Sequence, residues 1–365
     1  MVRRIESLDI LRGLAAMAVV VWHWNWLRVD PSTGTIPAYS ISELPFLYLL
    51  FPLYKAGYLA VDLFFAISGF VFFHMYAERL ARGEVAAREF WWNRFTRLYP
   101  LHIATLLYVA VIQLIYHSSH AGYFIYQDNS PTLFASQLFM VSSWLPSAPY
   151  SFNGPIWSVS IEILLYGLFF VLARCGLIKP WHVVFLVWAG SFLITEANML
   201  GHGIMTFFTG ALCYYTFKNR REFKALVAAI VGAGIIQIAH SGVSLHICAV
   251  TVGIPAVLLV LSLCEHRVKP IAPYLGWLGH TSYSSYLLHF PVMLTLVTIG
   301  LRVDPYSHVH LIAYLIGVVL LSLACFRYFE RPLQMQLRNL ALQGSPRSIG
   351  KTELATEAGQ LPGSV

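Results

Sequence analysis

A few ionisable side chains lie inside long apolar stretches of the chain. Arg12 and His23 share the first stretch and are eleven residues apart. On a helix this spacing places them within about 20° of one face and about 16 Å apart along the axis. Because ionisable groups in membrane helices usually face a cavity or a partner, one helix is predicted to present a guanidinium near one surface and an imidazole near the other. Two plainer alternatives stay open: Asp9 pairs with Arg12, and His23 belongs to an interfacial aromatic belt with Trp22 and Trp24.

Two carboxylates are predicted at a depth comparable to that of His23. Glu162 follows Ser158 by four residues in the segment WSVSIE, so the two side chains share a helix face. A carboxylate beside a histidine fixes its tautomer and favours the imidazolium. We therefore predict His23 as a general base and Glu162 as its catalytic partner. Asp62 competes with Glu162 for that place, and a buried pair that only joins two helices is the alternative.

A second set of polar residues is predicted near the inner surface. Arg94 and Arg97 are three residues apart, and two guanidinium groups at that spacing suit a phosphate-bearing ligand because arginine binds phosphate oxygens as a fork. The alternative for both is ordinary anchoring at the cytoplasmic surface. His289 is expected at the depth of Arg12, or else only bonded to a neighbouring carbonyl. Ser68, followed by a glycine, lies where small residues let a helix or ligand approach closely.

Several common catalytic motifs are missing from the sequence. It contains no GxSxG, Walker, HExxH or CxxC pattern, so a hydrolase, a nucleotide-driven motor and a zinc peptidase lose their usual support. We predict no metal site and no permanently bound cofactor. The five cysteines lie far apart between residues 175 and 325, and no disulfide is expected.

The elements that must position these residues are membrane helices. Of the 365 residues, 58% are hydrophobic and 11% charged, whereas soluble domains carry about 25% charged residues. The predicted fold class is all-α, a polytopic membrane protein with a bundle of about ten transmembrane helices. Shorter apolar stretches at 44–54 and 131–144 are expected to be re-entrant or interfacial. The ten spans are expected near residues 8–27, 57–76, 98–117, 155–174, 180–198, 202–217, 224–240, 245–263, 283–300 and 308–329.

The net charge of +7 predicts orientation rather than a nucleic-acid partner. With both termini in the cytoplasm, most lysines and arginines fall on cytoplasmic loops, as the positive-inside rule requires. Residues 1–335 are predicted to form the membrane domain. Residues 336–365, whose end is rich in Gly, Ser, Glu and Pro, are predicted to be a flexible cytoplasmic tail.

The motifs that hold these residues resemble those of a known family and occur in the same order. The chain is similar to the integral-membrane acyltransferase-3 family of sugar and lipid O-acyltransferases. The resemblance implies a ten-helix bundle that carries an acyl group, usually acetyl from cytoplasmic acetyl-CoA, to a hydroxyl on the far side of the membrane. Six motifs between residues 7 and 333 support it: SLDILRGLAAMAVVVWH, DLFFAISGFV, RFTRLYP, GPIWSVSIEILLY, SYSSYLLHFP and FRYFERPL.

The resemblance also implies residue roles. It matches Arg12, His23, Arg94, Arg97 and Glu162 to positions at which the family is thought to need those side chains. We expect acyl-CoA to bind at the inner layer, with His289 among the residues of the donor site. The expected acceptor is a carbohydrate or glycolipid outside a bacterial inner membrane.

The reaction itself has open alternatives at the level of sequence. We expect direct transfer, in which the acceptor hydroxyl meets the thioester near His23 and Ser158 or a backbone amide donates to the oxyanion. A route through an acylated Ser68, Ser158 or Ser160 is the alternative. The rival function is a proton-coupled transporter or flippase of a lipid-linked sugar, with His23, Glu162 and Asp62 as a proton relay.

Overall fold

The protein is helical throughout the part of the chain that the structure describes. The structure is a computed structural model, and it describes residues 5–29, 43–145, 147–194, 199–242 and 244–343. No strand occurs in these ranges, and the predicted all-α membrane class is confirmed. The α-helices are α1 (Glu6–His23), α2 (Leu47–Ala56), α3 (Leu59–Phe72), α4 (Glu78–Ala81), α5 (Ala87–Ser119), α6 (Pro131–Leu138), α7 (Ile156–Arg174), α8 (Pro180–Leu193), α9 (Met199–Lys218), α10 (Phe223–Ser241), α11 (Leu245–Cys248), α12 (Ile254–Leu263), α13 (Glu265–Val268), α14 (Ala272–Thr298), α15 (His308–Cys325) and α16 (Arg331–Gln343).

Short 3₁₀ and π turns join several of these helices into longer rods. All ten predicted spans overlap such helical segments. Seven segments within the described ranges are long and apolar enough to cross a membrane, and the count of ten and the cytoplasmic termini stay predictions. The seven are Glu6–Arg28, Leu59–Ala81, Ala87–Ser119, Ile156–Arg174, Arg220–Ser241, Leu245–Leu263 and His308–Leu340.

Helix α14 begins well before the predicted span at 283. It starts at Ala272. The polar residues Thr281, Ser282 and Ser284 lie within the helix, and their side chains are buried. A span predicted from apolar residues ends where polar residues occur. The predicted span is therefore too short when the polar face of a helix lies inside the bundle.

Glycines bring two pairs of helices into backbone contact. A Cβ atom on Gly69 of α3 would lie 1.8 Å from the carbonyl oxygen of Phe207 in α9. A Cβ atom on Gly13 of α1 would lie 2.4 Å from the Cβ of Leu278 in α14. Small residues at helix crossings permit this close approach, so α3 meets α9 at Gly69 and α1 meets α14 at Gly13 with no side chain between the backbones at those points.

The two ends of α1 mark two ends of the bundle. At its start, the backbone N–H groups of Glu6 and Ser7 donate to the carboxylate of Glu265, at 2.8 and 3.0 Å. Beyond its end, Trp24 Nε1 donates to the carbonyl of Pro305 at 2.8 Å. We call these the inner end and the outer end, because the positive-inside pattern predicts them on those sides of the membrane.

The predicted tail begins inside a helix. Helix α16 continues from Arg331 to Gln343, and Trp92 of α5 donates a hydrogen bond to the carbonyl of Leu337 at 3.0 Å. Residues 344–365 lie outside the described residues. The segment that follows residue 335 is therefore attached to the bundle for at least its first two turns.

Candidate active site

Two cavities follow each other along α1, and they share the ring of Tyr286. The inner cavity has a volume of about 90 Å³ and contains the side chain of Arg12. The outer cavity has a volume of about 420 Å³ and contains the side chain of His23. The structure therefore shows Arg12 and His23 at different depths on one face of one helix, as predicted.

The inner cavity gathers three guanidinium groups and one carboxylate. Arg12 of α1 and Arg94 and Arg97 of α5 line it together with Glu162 of α7. Arg12 forms the expected ion pair with Asp9, at 3.2 Å from Nη2 to Oδ1. Three guanidinium groups thus face the cavity with the single carboxylate of Glu162, and Asp9 compensates Arg12 from outside the cavity lining. Guanidinium groups on a cavity wall favour an anionic ligand.

Arg12 and Arg94 are held by different neighbours. Arg12 Nε donates to Ser282 Oγ at 3.1 Å, and its Nη2 donates to the carbonyl of Gly279 at 2.9 Å. Arg94 Nη2 donates to the hydroxyl of Tyr76 at 2.9 Å, and the guanidinium lies 5.0 Å from the ring centre of Phe72. The buried Nε of Arg94 has no hydrogen-bond partner among the described residues. This donor is available to a ligand in the cavity.

Glu162 lies in the inner cavity, and the predicted pairing with His23 is wrong. Its Oε1 accepts hydrogen bonds from Ser68 Oγ, at 2.5 Å, and from the hydroxyl of Tyr166. The depth estimate failed because it placed the start of α7 at the membrane surface. Helix α7 begins inside the bundle, where Ile156 is 1% exposed, so Glu162 lies one turn below the outer cavity.

His23 has its tautomer fixed by the backbone instead of a carboxylate. Its Nδ1 donates to the carbonyl of Val19 at 2.8 Å, because a carbonyl only accepts. The other ring nitrogen, Nε2, is then the basic one. The edges of Trp22 and Trp26 pack against the ring, with centroids at 4.6 and 4.0 Å. The structure thus provides an oriented neutral imidazole on the wall of the outer cavity.

His289 lies beside His23, and its predicted place at the depth of Arg12 is wrong. The two imidazole centroids are 4.6 Å apart. Ser282, which bonds Arg12, precedes His289 by seven residues on α14, which corresponds to about 10 Å along the axis. The error follows from starting the helix at 283, which would have put His289 in its inner half. His289 Nδ1 donates to the carbonyl of Tyr286 at 2.6 Å, as the alternative predicted.

Tyr286 and Ser158 form the boundary between the cavities. The Tyr286 hydroxyl donates to the carbonyl of Pro155 at 2.9 Å and lies 2.7 Å from Ser158 Oγ. Ser158 lines the inner cavity and Tyr286 lines both. Sequence reasoning missed Tyr286, although it belongs to the same SYSSYLLHFP motif as His289. A polar aromatic residue one turn from a candidate histidine was the available signal.

Asp62 lines the outer cavity with His23 but pairs with two other histidines. Its Oδ2 lies 3.2 Å from Nε2 of His246, and its Oδ1 lies 3.9 Å from Nδ1 of His202. Neither His202 nor His246 was among the site residues predicted from the sequence. Asp62 and His246 are 184 residues apart in sequence, so no local motif joins them.

Aromatic side chains cover most of the remaining wall of the outer cavity. Tyr126 and Tyr150 reach it from the long segment between α5 and α7, and face Trp22, Trp26 and Trp157 of the helices, together with Tyr58. Burial raises the pKa of Tyr126 well above its ordinary value, with Tyr286 and Tyr150 adding to the effect, and burial also raises the pKa of Tyr150. Both hydroxyls therefore stay neutral hydrogen-bonding groups at physiological pH. Flat rings with polar tips suit a ligand with alternating apolar and hydroxyl faces.

Comparison with known proteins gives a family match over most of the chain. The sequence model of an acyltransferase domain, acyltransferase-3, matches residues 5–327. No solved structure matches the chain. The match includes every residue that lines the two cavities.

Three relatives show how the similarity is distributed. Acyltransferase MdmB of Streptomyces mycarofaciens is 31% identical over 175 residues, 45% of this chain and 38% of that protein. Protein 2 in the picA locus of Rhizobium radiobacter is 38% identical over 107 residues, 29% of this chain and 44% of that protein. Peptidoglycan O-acetyltransferase OatA of Listeria monocytogenes is 21% identical over 387 aligned positions, 90% of this chain and 56% of that protein. The chain thus matches about half or less of each relative's length.

Proposed function

Because the chain belongs to the acyltransferase-3 family, we propose that it is a membrane O-acyltransferase with an acyl-CoA donor and a carbohydrate or glycolipid acceptor. The observation that carries this proposal is the pair of adjoining cavities, one cationic and one aromatic, with an oriented imidazole in the second. The default acyl group is acetyl, as in the name of the relative OatA. We assign the enzyme to a bacterial inner membrane.

The donor binds from the inner end. CoA carries phosphates that favour guanidinium groups, and Arg94 and Arg97 lie in the part of α5 nearest its start. The narrow inner cavity accommodates a thin pantetheine arm rather than a nucleotide, so the phosphates stay at its mouth. Arg12 and the unpartnered Nε of Arg94 are further cationic donors on the wall of this path. In this proposal Glu162 is a positioning residue that holds Ser68 and Tyr166 around the arm.

The acceptor binds from the outer end, between the aromatic rings. His23 Nε2 takes the proton of the acceptor hydroxyl while the hydroxyl oxygen attacks the thioester carbonyl. The C–S bond breaks, an ester C–O bond forms, and the proton passes to the CoA thiolate. Ser158, whose hydroxyl forms part of the shared wall, can donate to the oxyanion. General-base catalysis of this kind contributes about 10² to 10⁴ in rate.

Release of free CoA tests the proposed activity. The full chain, reconstituted in lipid nanodiscs, is supplied with acetyl-CoA and with glycans or glycolipids extracted from the source membrane. We expect release of one thiol for each acetyl group transferred, with both depending on the acceptor. Acceptor movement across the bilayer of proteoliposomes with no CoA release would instead establish the transporter or flippase.

Mass spectrometry of cell-surface material identifies the acceptor. We expect a strain without this gene to lose an acyl mass increment from one glycan or glycolipid, and a copy carrying the wild-type sequence to restore it. A copy with His23→Gln should insert normally and fail to restore the increment. Unchanged glycans and glycolipids in the deletion strain would contradict a carbohydrate acceptor.

Thiol labelling tests the side from which the donor enters. Single cysteines replace the exposed Arg88, on the first turn of α5, and the exposed Arg302, between α14 and α15. In intact cells an impermeant maleimide should label position 302 alone, and label position 88 only after the membrane is opened. Labelling of position 88 in intact cells would contradict a cytoplasmic donor site near α5.

A further inference from the structure

Three metal-ligating side chains from three helices converge on one point of the outer cavity. Asp62 comes from α3, His202 from α9 and His246 from α11, and one ligand atom of each lies within 4.8 Å of the others. Asp62 is buried and the two histidines are partly exposed to the cavity. The direct-transfer reaction proposed above uses none of them.

The separations fit a metal ion of ordinary size. Ligands bound to zinc at about 2.0–2.1 Å in a tetrahedron lie about 3.3 Å from each other. The Asp62–His246 separation is 3.2 Å, and the Asp62–His202 separation is 3.9 Å. The Asp62–His202 pair must close by about 0.6 Å to reach the tetrahedral spacing, and the rings of His202 and His246 lie 4.8 Å apart, centroid to centroid, at an angle of 69°.

The charge balance of the cavity also favours a cation at this point. Asp62 is a carboxylate in an apolar helix, and the outer cavity is lined by no lysine or arginine among the described residues. An uncompensated carboxylate in such surroundings is costly. A hydrogen bond from one histidine offsets part of this, whereas a divalent ion compensates the charge and uses both imidazoles as neutral ligands.

We propose that Asp62, His202 and His246 form a binding site for a divalent transition-metal ion of the Zn²⁺ class. Two imidazoles and one carboxylate suit such ions, and three protein ligands leave a coordination position open to the cavity. A hydroxyl-bearing molecule in the outer cavity fills that position. The metal site is not part of the proposed acyl transfer, and metal binding can be measured without any transfer activity. Motif inspection predicted no metal because its patterns require ligands close in sequence.

Metal content of the purified chain tests the site directly. The full chain is purified in detergent through a tag without histidines, stripped with a chelator, dialysed against Zn²⁺ and analysed by mass spectrometry for metal per chain. We expect one tightly bound Zn²⁺ in the wild type. Co²⁺ in its place should give visible absorption typical of a tetrahedral or five-coordinate site. No metal above the buffer level in the wild type would overturn the proposal.

Variants separate this site from adventitious binding. Asp62→Asn, His202→Gln and His246→Gln should each weaken Zn²⁺ binding by more than about 100-fold, beyond the 10- to 100-fold typical of losing an outer hydrogen-bond partner. His240→Gln is the matched control, because that histidine is exposed near the end of α10. Equal binding in the control and the three variants would overturn the proposal.

A ligand replacement guards against simple misfolding. His246→Cys supplies a thiolate, which zinc binds well, at the position where glutamine binds poorly. We expect His246→Cys to retain the metal and the Zn²⁺-dependent rise in Tm, with His246→Gln losing both while both variants elute as single species. Metal loss in both variants would show that His246 supports the fold rather than the ion.

Discussion

The inner cavity is lined by guanidinium groups and a carboxylate, whereas the outer cavity is lined by imidazoles, one carboxylate and aromatic rings. The inner cavity also has the smaller volume, about 90 Å³ against about 420 Å³. Two substrates of different shape and charge thus have separate approaches to one wall, at Tyr286 and Ser158. The difference indicates that donor and acceptor affinities can be changed independently.

The largest expected effect belongs to the base of the outer cavity. His23→Gln removes the basic nitrogen, so kcat should fall by about 10² to 10⁴ with the KM for acyl-CoA nearly unchanged. Steady-state kinetics in nanodiscs measure both constants. His240→Gln, on an exposed histidine that lines neither cavity, should leave them at wild-type values. A normal kcat in the His23→Gln enzyme would show that His23 is not the general base.

The next effect belongs to the cations of the inner cavity. Arg97→Ala should raise the KM for acyl-CoA by roughly 10- to 150-fold, since a charged hydrogen bond contributes about 1.5–3 kcal/mol. The KM for the acceptor should not change. Arg88→Ala, on the exposed first turn of α5, is the control. If Arg97→Ala and Arg88→Ala have the same KM for acyl-CoA, Arg97 is a cytoplasmic anchor, which is the alternative interpretation of the sequence.

Tyr286 tests whether the shared wall joins the two sites. Tyr286→Phe removes the bonds to Pro155 and Ser158, each a neutral hydrogen bond of about 0.5–1.5 kcal/mol. We expect kcat/KM to fall about tenfold for both substrates. Varying each substrate at saturation of the other distinguishes the two constants. A loss confined to one substrate would place Tyr286 in a single cavity.

The smallest effect is expected at the aromatic rim. Tyr150→Ala should raise the KM for the acceptor by about 2- to 10-fold, because one aromatic contact contributes about 0.5–1.5 kcal/mol. The KM for acyl-CoA should stay constant. Tyr48→Ala on α2 provides the control, since that ring is fully exposed and lines neither cavity. A matching rise for both substrates would indicate a general loss of structure.

Sequence reasoning succeeded where position along one helix was sufficient. Arg12 and His23 belong to α1, so a fixed rise and angle per residue placed them correctly in two layers. The glycine after Ser68 likewise predicted a close approach, which the contact between Gly69 and Phe207 shows.

Comparisons between helices failed where the depth of a helix in the bundle, as for α7, or its first residue, as for α14, was unknown. Glu162 and His289 were assigned to the wrong layers because α7 starts inside the bundle and α14 starts eleven residues before the predicted span. The grouping of Asp62 with His246 needs the tertiary contacts of three helices, and no local spacing contains it.

The glycine contacts have a mechanical consequence for substrate entry. Where a glycine crossing brings two backbones together, no side chain can rotate there to let the helices separate. The pairs α1–α14 and α3–α9 are therefore stiff at these crossings, and both cavities are lined from each pair, with Arg12 and His23 on one and Ser68 and Asp62 on the other. A relative shift of the two pairs would therefore change both cavities together.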